Sequence, residues 1–140
     1  MKWVTRAHVH VDRVACPWLI SRFVDSEAEF IFVAKELVNE TAKREGAIPF
    51  DSDGVELGHR DGHCSFISII EKYKLKDPAL LALAEVVNAA DTDQLSANPY
   101  ASGLEAIARG YSLIYPDDLL NLEKQFEVYD ALYAFFKLKK

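Results

Sequence analysis

Between Thr5 and Phe23 the chain reads TRAHVHVDRVACPWLISRF, gathering three arginines, two histidines, an aspartate and a cysteine into nineteen residues. Guanidinium groups offer a rigid fork of donors that suits a tetrahedral oxyanion, and free backbone N–H groups at a helix start favour the same kind of ligand. Arg6 and Arg13 are the candidates for that role, with Asp12 and Cys16 beside them. An ordinary ion pair between Arg13 and Asp12 or Asp25 is the competing use of that arginine. A second concentration lies between Glu56 and Cys64, where Glu56, His59, Asp61, His63 and Cys64 fall within nine residues. Carboxylate, imidazole and thiolate are the ligand types of transition-metal sites. No paired CxxC closes a structural zinc motif, so an open three-ligand site is the better reading. Glu56, His59 and Cys64 are its candidate ligands, completed by Asp91 from the VVNAADTD segment. Against this stand an acidic solvated loop with incidental histidines and an Asp91 that caps a helix.

Both cysteines are expected at helix starts, Cys16 before Pro17 and Cys64 before Ser65. A helix N-terminus carries about half a positive charge, which lowers a thiol pKa. The alternative is that both are small buried apolar residues.

These groups need elements to position them. Residues 2–12 alternate, with Trp3, Thr5, Ala7, Val9 and Val11 on one face and Val4, Arg6, His8, His10 and Asp12 on the other. That pattern predicts a strand with a polar row, facing either a site or solvent. Pro17 suits the first turn of a helix running to Val24. AEFIFVA (Ala28–Ala34) reads as a buried strand, Glu36–Glu45 as a polar helix ending at Gly46, and residues 47–63 as a loop or short hairpin. The second half is helical. Ser65 opens a helix with Phe66, Ile69, Ile70 and Tyr73 on one stripe. Asp77-Pro78 opens another, and Ala101–Arg109 makes a short helix stopped by Gly110. Asp117 caps a last helix with a seam of Leu119, Leu122, Phe126, Tyr129, Tyr133 and Phe136. That seam suits the core, with a homodimer surface as the minority reading. The fold class is α+β: one domain over residues 1–140, a small sheet from the N-terminal half packed against a helical C-terminal half.

Charge narrows the function classes. The net charge is −6, which disfavours direct binding to nucleic acid or an anionic membrane. Lys2, Arg6, Arg13 and Arg22 face only Asp12 within the first 24 residues, a basic patch that suits a small anion better than a polymer. No apolar run has the length of a signal peptide or membrane span, and two cysteines make no disulfide framework, so a cytoplasmic location is expected. There is no GxGxxG, P-loop or HExxH.

DRVACPWLISRFVD (Asp12–Asp25) resembles the signature of the chromate-resistance family, the C-terminal domain of the chromate-responsive regulators. GAIPFD (Gly46–Asp51), ELGHRDGHCSF (Glu56–Phe66), LKDPALLALAEVV (Leu75–Val87) and YDALYAF (Tyr129–Phe135) extend the resemblance, in order, over nearly the whole chain. It places Arg6, Asp12, Arg13, Cys16, Trp18, Glu56, His59, Cys64 and Asp91 where the family has the same residue types. It implies that Arg6, Arg13 and His59 lead a response to chromate. His8 and His10 fall where many members differ, and Asn88 stands where some relatives have histidine. Members often carry a preceding regulatory domain, so this chain is expected to act as the stand-alone later domain.

Three functions follow. The first is a sensing or binding domain for an oxyanion, a divalent transition metal, or both. The second is a metal- or thiol-dependent reductase or hydrolase. The third is an interaction module using the aromatic last helix. The first requires the cationic opening segment and the His59 loop to share one cavity.

Overall fold

A computed structural model describes residues 1–8 and 10–138. Strand β1 (Lys2–Arg6) leads into helix α1 (Val11–Leu19), which widens into a π-helical turn over Ile20–Val24. Strand β2 (Glu29–Val33) and helix α2 (Val38–Glu45) follow, then the short strand β3 (Ile48–Pro49). The helical half comprises α3 (Ser65–Lys72), α4 (Pro78–Asp91), α5 (Ala101–Ile114) and α6 (Asp118–Leu138). The architecture is α+β, as expected. Among the described residues no helix is long and apolar enough to cross a membrane.

The sheet has the order β2-β1-β3, and both pairings are parallel. A central parallel strand is covered on both faces, and Trp3, Val4 and Thr5 are all buried. Val4 packs with Val38 and Ala47 under α2, whereas Trp3 joins the main helical core. The crossover through α1 thus lies on one face and that through α2 on the other. The expected strand over residues 2–12 is corrected: β1 stops at Arg6, and α1 has begun by Val11. His8 between them takes a left-handed backbone (φ 67°) that no strand permits. Val9, which the alternation placed on the apolar face, lies outside the described residues.

Two helix boundaries also differ from expectation. Pro17 lies inside α1 instead of opening it. It supplies no N–H to the helix ladder, and three residues later the helix loosens, with Asp25 N–H bonding Ile20 C=O at 2.7 Å. Helix α5 runs through Gly110 to Ile114, since a single glycine weakens a helix by only about 1 kcal/mol. Other signals hold. The Asp77 side chain accepts from Ala79 N–H at 2.9 Å, and Gly46 closes α2 in the left-handed conformation. Strand β2 is half-buried at the sheet edge instead of fully buried.

The core centres on Trp18, whose ring lies 6.1 Å from Tyr129, 5.9 Å from Tyr133 and 5.8 Å from Phe23. Its indole N–H donates to Asp130 at 2.7 Å, so the buried polar end is satisfied. Of the α6 seam, Leu122, Tyr129 and Phe136 are buried and Leu119 is exposed. The seam serves mainly the core. Replacing the fully buried Leu83 by alanine is expected to cost about 2–5 kcal/mol. Leu113→Ala, on the exposed end of α5, should stay within about 0.5 kcal/mol. Urea denaturation of the two variants measures the contrast.

Candidate functional site

Asp12 is the second residue of α1 and only 1% exposed. Its carboxylate accepts Ser65 N–H at 2.7 Å and Phe66 N–H at 3.2 Å, so a side chain from α1 caps the N-terminus of α3. Asn88 of α4 completes the cap by accepting Cys64 N–H at 2.8 Å. Three orphan N–H donors of α3 are thereby satisfied from two other helices.

Around this cap the charged groups converge. Asp91, the last residue of α4, accepts Asp12 N–H through Oδ1 at 3.3 Å and holds His59 Nε2 at 3.0 Å through Oδ2. His59 is 48% exposed, and its Nε2 also lies 3.7 Å from Asp12 Oδ2 and 3.6 Å from Asp51 Oδ1. Asp51 directly follows the bridge residue Phe50 after β3, and its Oδ1 accepts the Ser65 hydroxyl at 2.8 Å. Its Oδ2 lies 3.8 Å from Arg6 Nη2 and 3.9 Å from Arg13 Nε, while its carbonyl accepts Arg6 Nε at 3.1 Å. Gly58 permits the tight approach of the loop before His59, because a Cβ there would meet Ser52 O at 2.7 Å.

Arg6, Arg13, Asp12, Asp51, His59, Asp91 and His10 line one open cavity of about 220 Å³. Arg6, Asp51 and His59 also border a neighbouring cleft of about 260 Å³ with Asp53 and Gly54. The requirement that the cationic opening segment and the His59 loop share a cavity is met. Both Arg6 and Asp51 lie where adjacent parallel strands β1 and β3 end. The cavity thus opens beyond the carboxyl ends of these strands, the side on which open α/β sheets place ligands.

Burial sets the electrostatics. Desolvation, then repulsion from Asp51 and Asp91, raises the Asp12 carboxyl well above its ordinary value. Asp91 is raised by burial and Asp51, against the opposing pull of His59. Burial lowers the Arg13 guanidinium while Asp51 supports it, and a guanidinium so placed stays charged. Its Nε is buried without a hydrogen-bond acceptor among the described residues. Burial lowers His10, against Asp91.

The other expected site residues lie elsewhere. Cys16 sits in the middle of α1, not at a helix start, and its buried thiol donates to Asp12 Oδ1 at 3.3 Å. Cys64 does precede α3, but it too is buried. Burial, followed by the nearby Asp12 charge, raises both thiols, contrary to the lowering expected from a helix start. Glu56 is exposed and paired with Lys72 at 3.1 Å, outside the cavity. His63 borders a separate cleft with Glu85 and Asn88, and His8 lies beside Tyr115 and Asn121. His10 lines the main cavity despite its lower sequence ranking. Asp51 is the residue that sequence reasoning missed. Its signal was an aspartate directly after the apolar IPF run, at the carboxyl end of a strand.

A family profile described as "ChrB, C-terminal domain" matches residues 3–136. Protein ChrB of Cupriavidus metallidurans is 35% identical over 138 residues, covering 96% of this chain and 40% of that protein. The chain thus spans well under half the length of this relative. No solved structure matches.

The raised Asp91 carboxyl carries a pH dependence. A folded pKa above the unfolded value of about 3.9 favours the fold while the group is protonated. That contribution is complete below about pH 4 and is lost as pH rises through the raised folded value. Asp91→Asn should therefore gain stability relative to the unaltered chain as pH rises from about 4 towards neutrality. Urea titrations of both proteins across that range, with chelator present, measure the difference.

Proposed function

Because the chain belongs to the ChrB C-terminal-domain family, a chromate-resistance family, we propose that it binds a tetrahedral oxyanion of the chromate class between Arg6 and Arg13 and serves as a ligand-sensing domain. The observation that carries this reading is the Arg13 guanidinium, which lines the cavity and whose Nε has no hydrogen-bond acceptor among the described residues. An unmet buried donor costs about 1–3 kcal/mol, and a turn of the guanidinium towards an anion oxygen in the cavity would meet it. Asp51 draws the two guanidiniums together from 3.8 and 3.9 Å, distances beyond hydrogen bonding, so their N–H groups other than Arg6 Nε can turn to a ligand. His59, half-exposed at the rim, would close over it and offer a ring N–H as a further hydrogen-bond donor.

The route from binding to response would run through α1, α3 and α4. All three meet at Asp12 and Asp91, so an anion that redistributes charge around those carboxylates would act on three helices together. A thiol-dependent reductase is a poorer reading, because thiolate is the reactive form and burial raises both thiols.

Calorimetric titration of the folded chain with potassium chromate, in buffer free of thiol reductant, should give saturable binding. Arg6→Gln should weaken it at least tenfold. Arg13→Lys, which keeps the charge but loses the planar fork, should weaken it as well. A folded, unaltered chain that shows no saturable chromate binding, with or without a divalent metal ion, would end the proposal.

A further inference from the structure

We propose that the same cavity takes a divalent transition-metal ion, held by Asp12, His59 Nε2 and Asp91 Oδ2, and that this ion strengthens binding of the oxyanion at Arg6 and Arg13. The coupling rests on the anion reading above, whereas the cation site stands without it.

The geometry of the three groups is that of an open metal site. One potential ligand atom from each lies within 4.8 Å of the others. His59 Nε2 is 3.0 Å from Asp91 Oδ2 and 3.7 Å from Asp12 Oδ2. Two ligands bonded at about 2.1 Å to one tetrahedral ion lie roughly 3.4 Å apart, so both His59 separations are already within some tenths of an ångström of that value, and the Asp12–Asp91 pair would close by about 1.4 Å at most. Both carboxylates are oriented by backbone donors, Asp12 by Ser65 and Phe66 and Asp91 by Asp12 itself. Such outer hydrogen bonds fix ligand direction in metal sites.

An independent argument comes from the imidazole and the charges around it. Three carboxylate oxygens, from Asp12, Asp51 and Asp91, surround His59 Nε2 within 3.7 Å. One ring N–H can serve only one of them well. When ionised, these three carboxylates outnumber the two guanidiniums across the cavity, so a dianion entering alone would add to a surplus of negative charge. A divalent cation removes that surplus and supplies an electrophilic centre facing the anion. Three protein ligands leave coordination positions open for water or for an oxygen of that anion. Imidazole with two carboxylates suits zinc, manganese or ferrous ions better than a soft thiolate-seeking ion. This ligand set replaces Glu56 and Cys64, since Glu56 is tied to Lys72 outside the cavity and Cys64 is buried beneath it.

The test titrates chelator-treated full chain with zinc chloride by calorimetry, and then with potassium chromate in the absence and presence of zinc. The expected result is one zinc per chain, weakened at least tenfold by Asp91→Asn and by His59→Gln and unchanged by Glu56→Gln. Zinc should raise chromate affinity about fivefold or more. His59 is half-exposed, so His59→Gln tests the site even if Asp91→Asn compromises folding, which thermal melts would reveal. Absence of saturable zinc binding, or binding that survives both substitutions, overturns the cation site. Zinc binding at the site with unchanged chromate affinity overturns the coupling. Zinc binding with no chromate binding under either condition overturns the anion reading and leaves the cation site standing.

Discussion

The carboxylate of Asp12 is the constraint on which the rest of the arrangement depends. It leaves the first turn of α1 and caps the first turn of α3, at 2.7 Å from Ser65 N–H and 3.2 Å from Phe66 N–H. A capping side chain normally comes from the residue just before its helix. Here the neighbouring position holds Cys64, whose thiol makes no such bond. The helix start and the loop carrying His59 are instead fixed from elsewhere in the chain. A buried carboxylate is tolerable because several donors meet it, and the charge of a helix N-terminus favours its ionised form. Burial, and then the nearby Asp51 and Asp91, oppose that form. The opposition between dipole and neighbours gives the cavity its mixed electrostatic character.

Sheet topology explains why these groups meet at all. Strand β1 lies between β2 and β3, and the cavity opens beyond the carboxyl ends of β1 and β3. Arg6 and Asp51 stand at those ends. The start of α1 contributes Asp12 and Arg13, and α4 brings Asp91 at its last turn. The aromatic packing of Trp18 against Tyr129 and Tyr133 holds α1 to α6. Tyr129 O–H also donates to Val11 C=O at 3.3 Å, beside the capping aspartate.

Much of this was legible in the sequence, for identifiable reasons. Asp77-Pro78 and the apolar stripe behind it mark α4 because capping and periodicity agree. Arg6, Asp12, Arg13, His59 and Asp91 were singled out by residue type and density, and the structure brings all five to one cavity. The misplaced boundaries arise where local signals conflict. Alternation carried the first strand too far, since His8 and His10 continue a pattern that the backbone abandons at Arg6. Pro17 suggested a helix start, yet tertiary packing of Val11, Val14 and Trp18 extends the helix in front of it. The cysteines misled because proximity to a helix start and burial act in opposite directions on a thiol, and only the fold shows that burial prevails. Asp51 was passed over because its partners, Arg6, Arg13 and Ser65, are remote in sequence.

The cavity wall draws on five separated stretches of chain, around positions 6, 12, 51, 59 and 91. No stretch short of the folded whole presents those groups together, so an occupant would have negligible affinity for the denatured ensemble. Occupancy would therefore act as a clasp across the entire domain, raising its melting temperature in proportion to the logarithm of free ligand above saturation. In a crowded cell, the same clasp would couple ligand abundance to how long the polypeptide survives proteolysis.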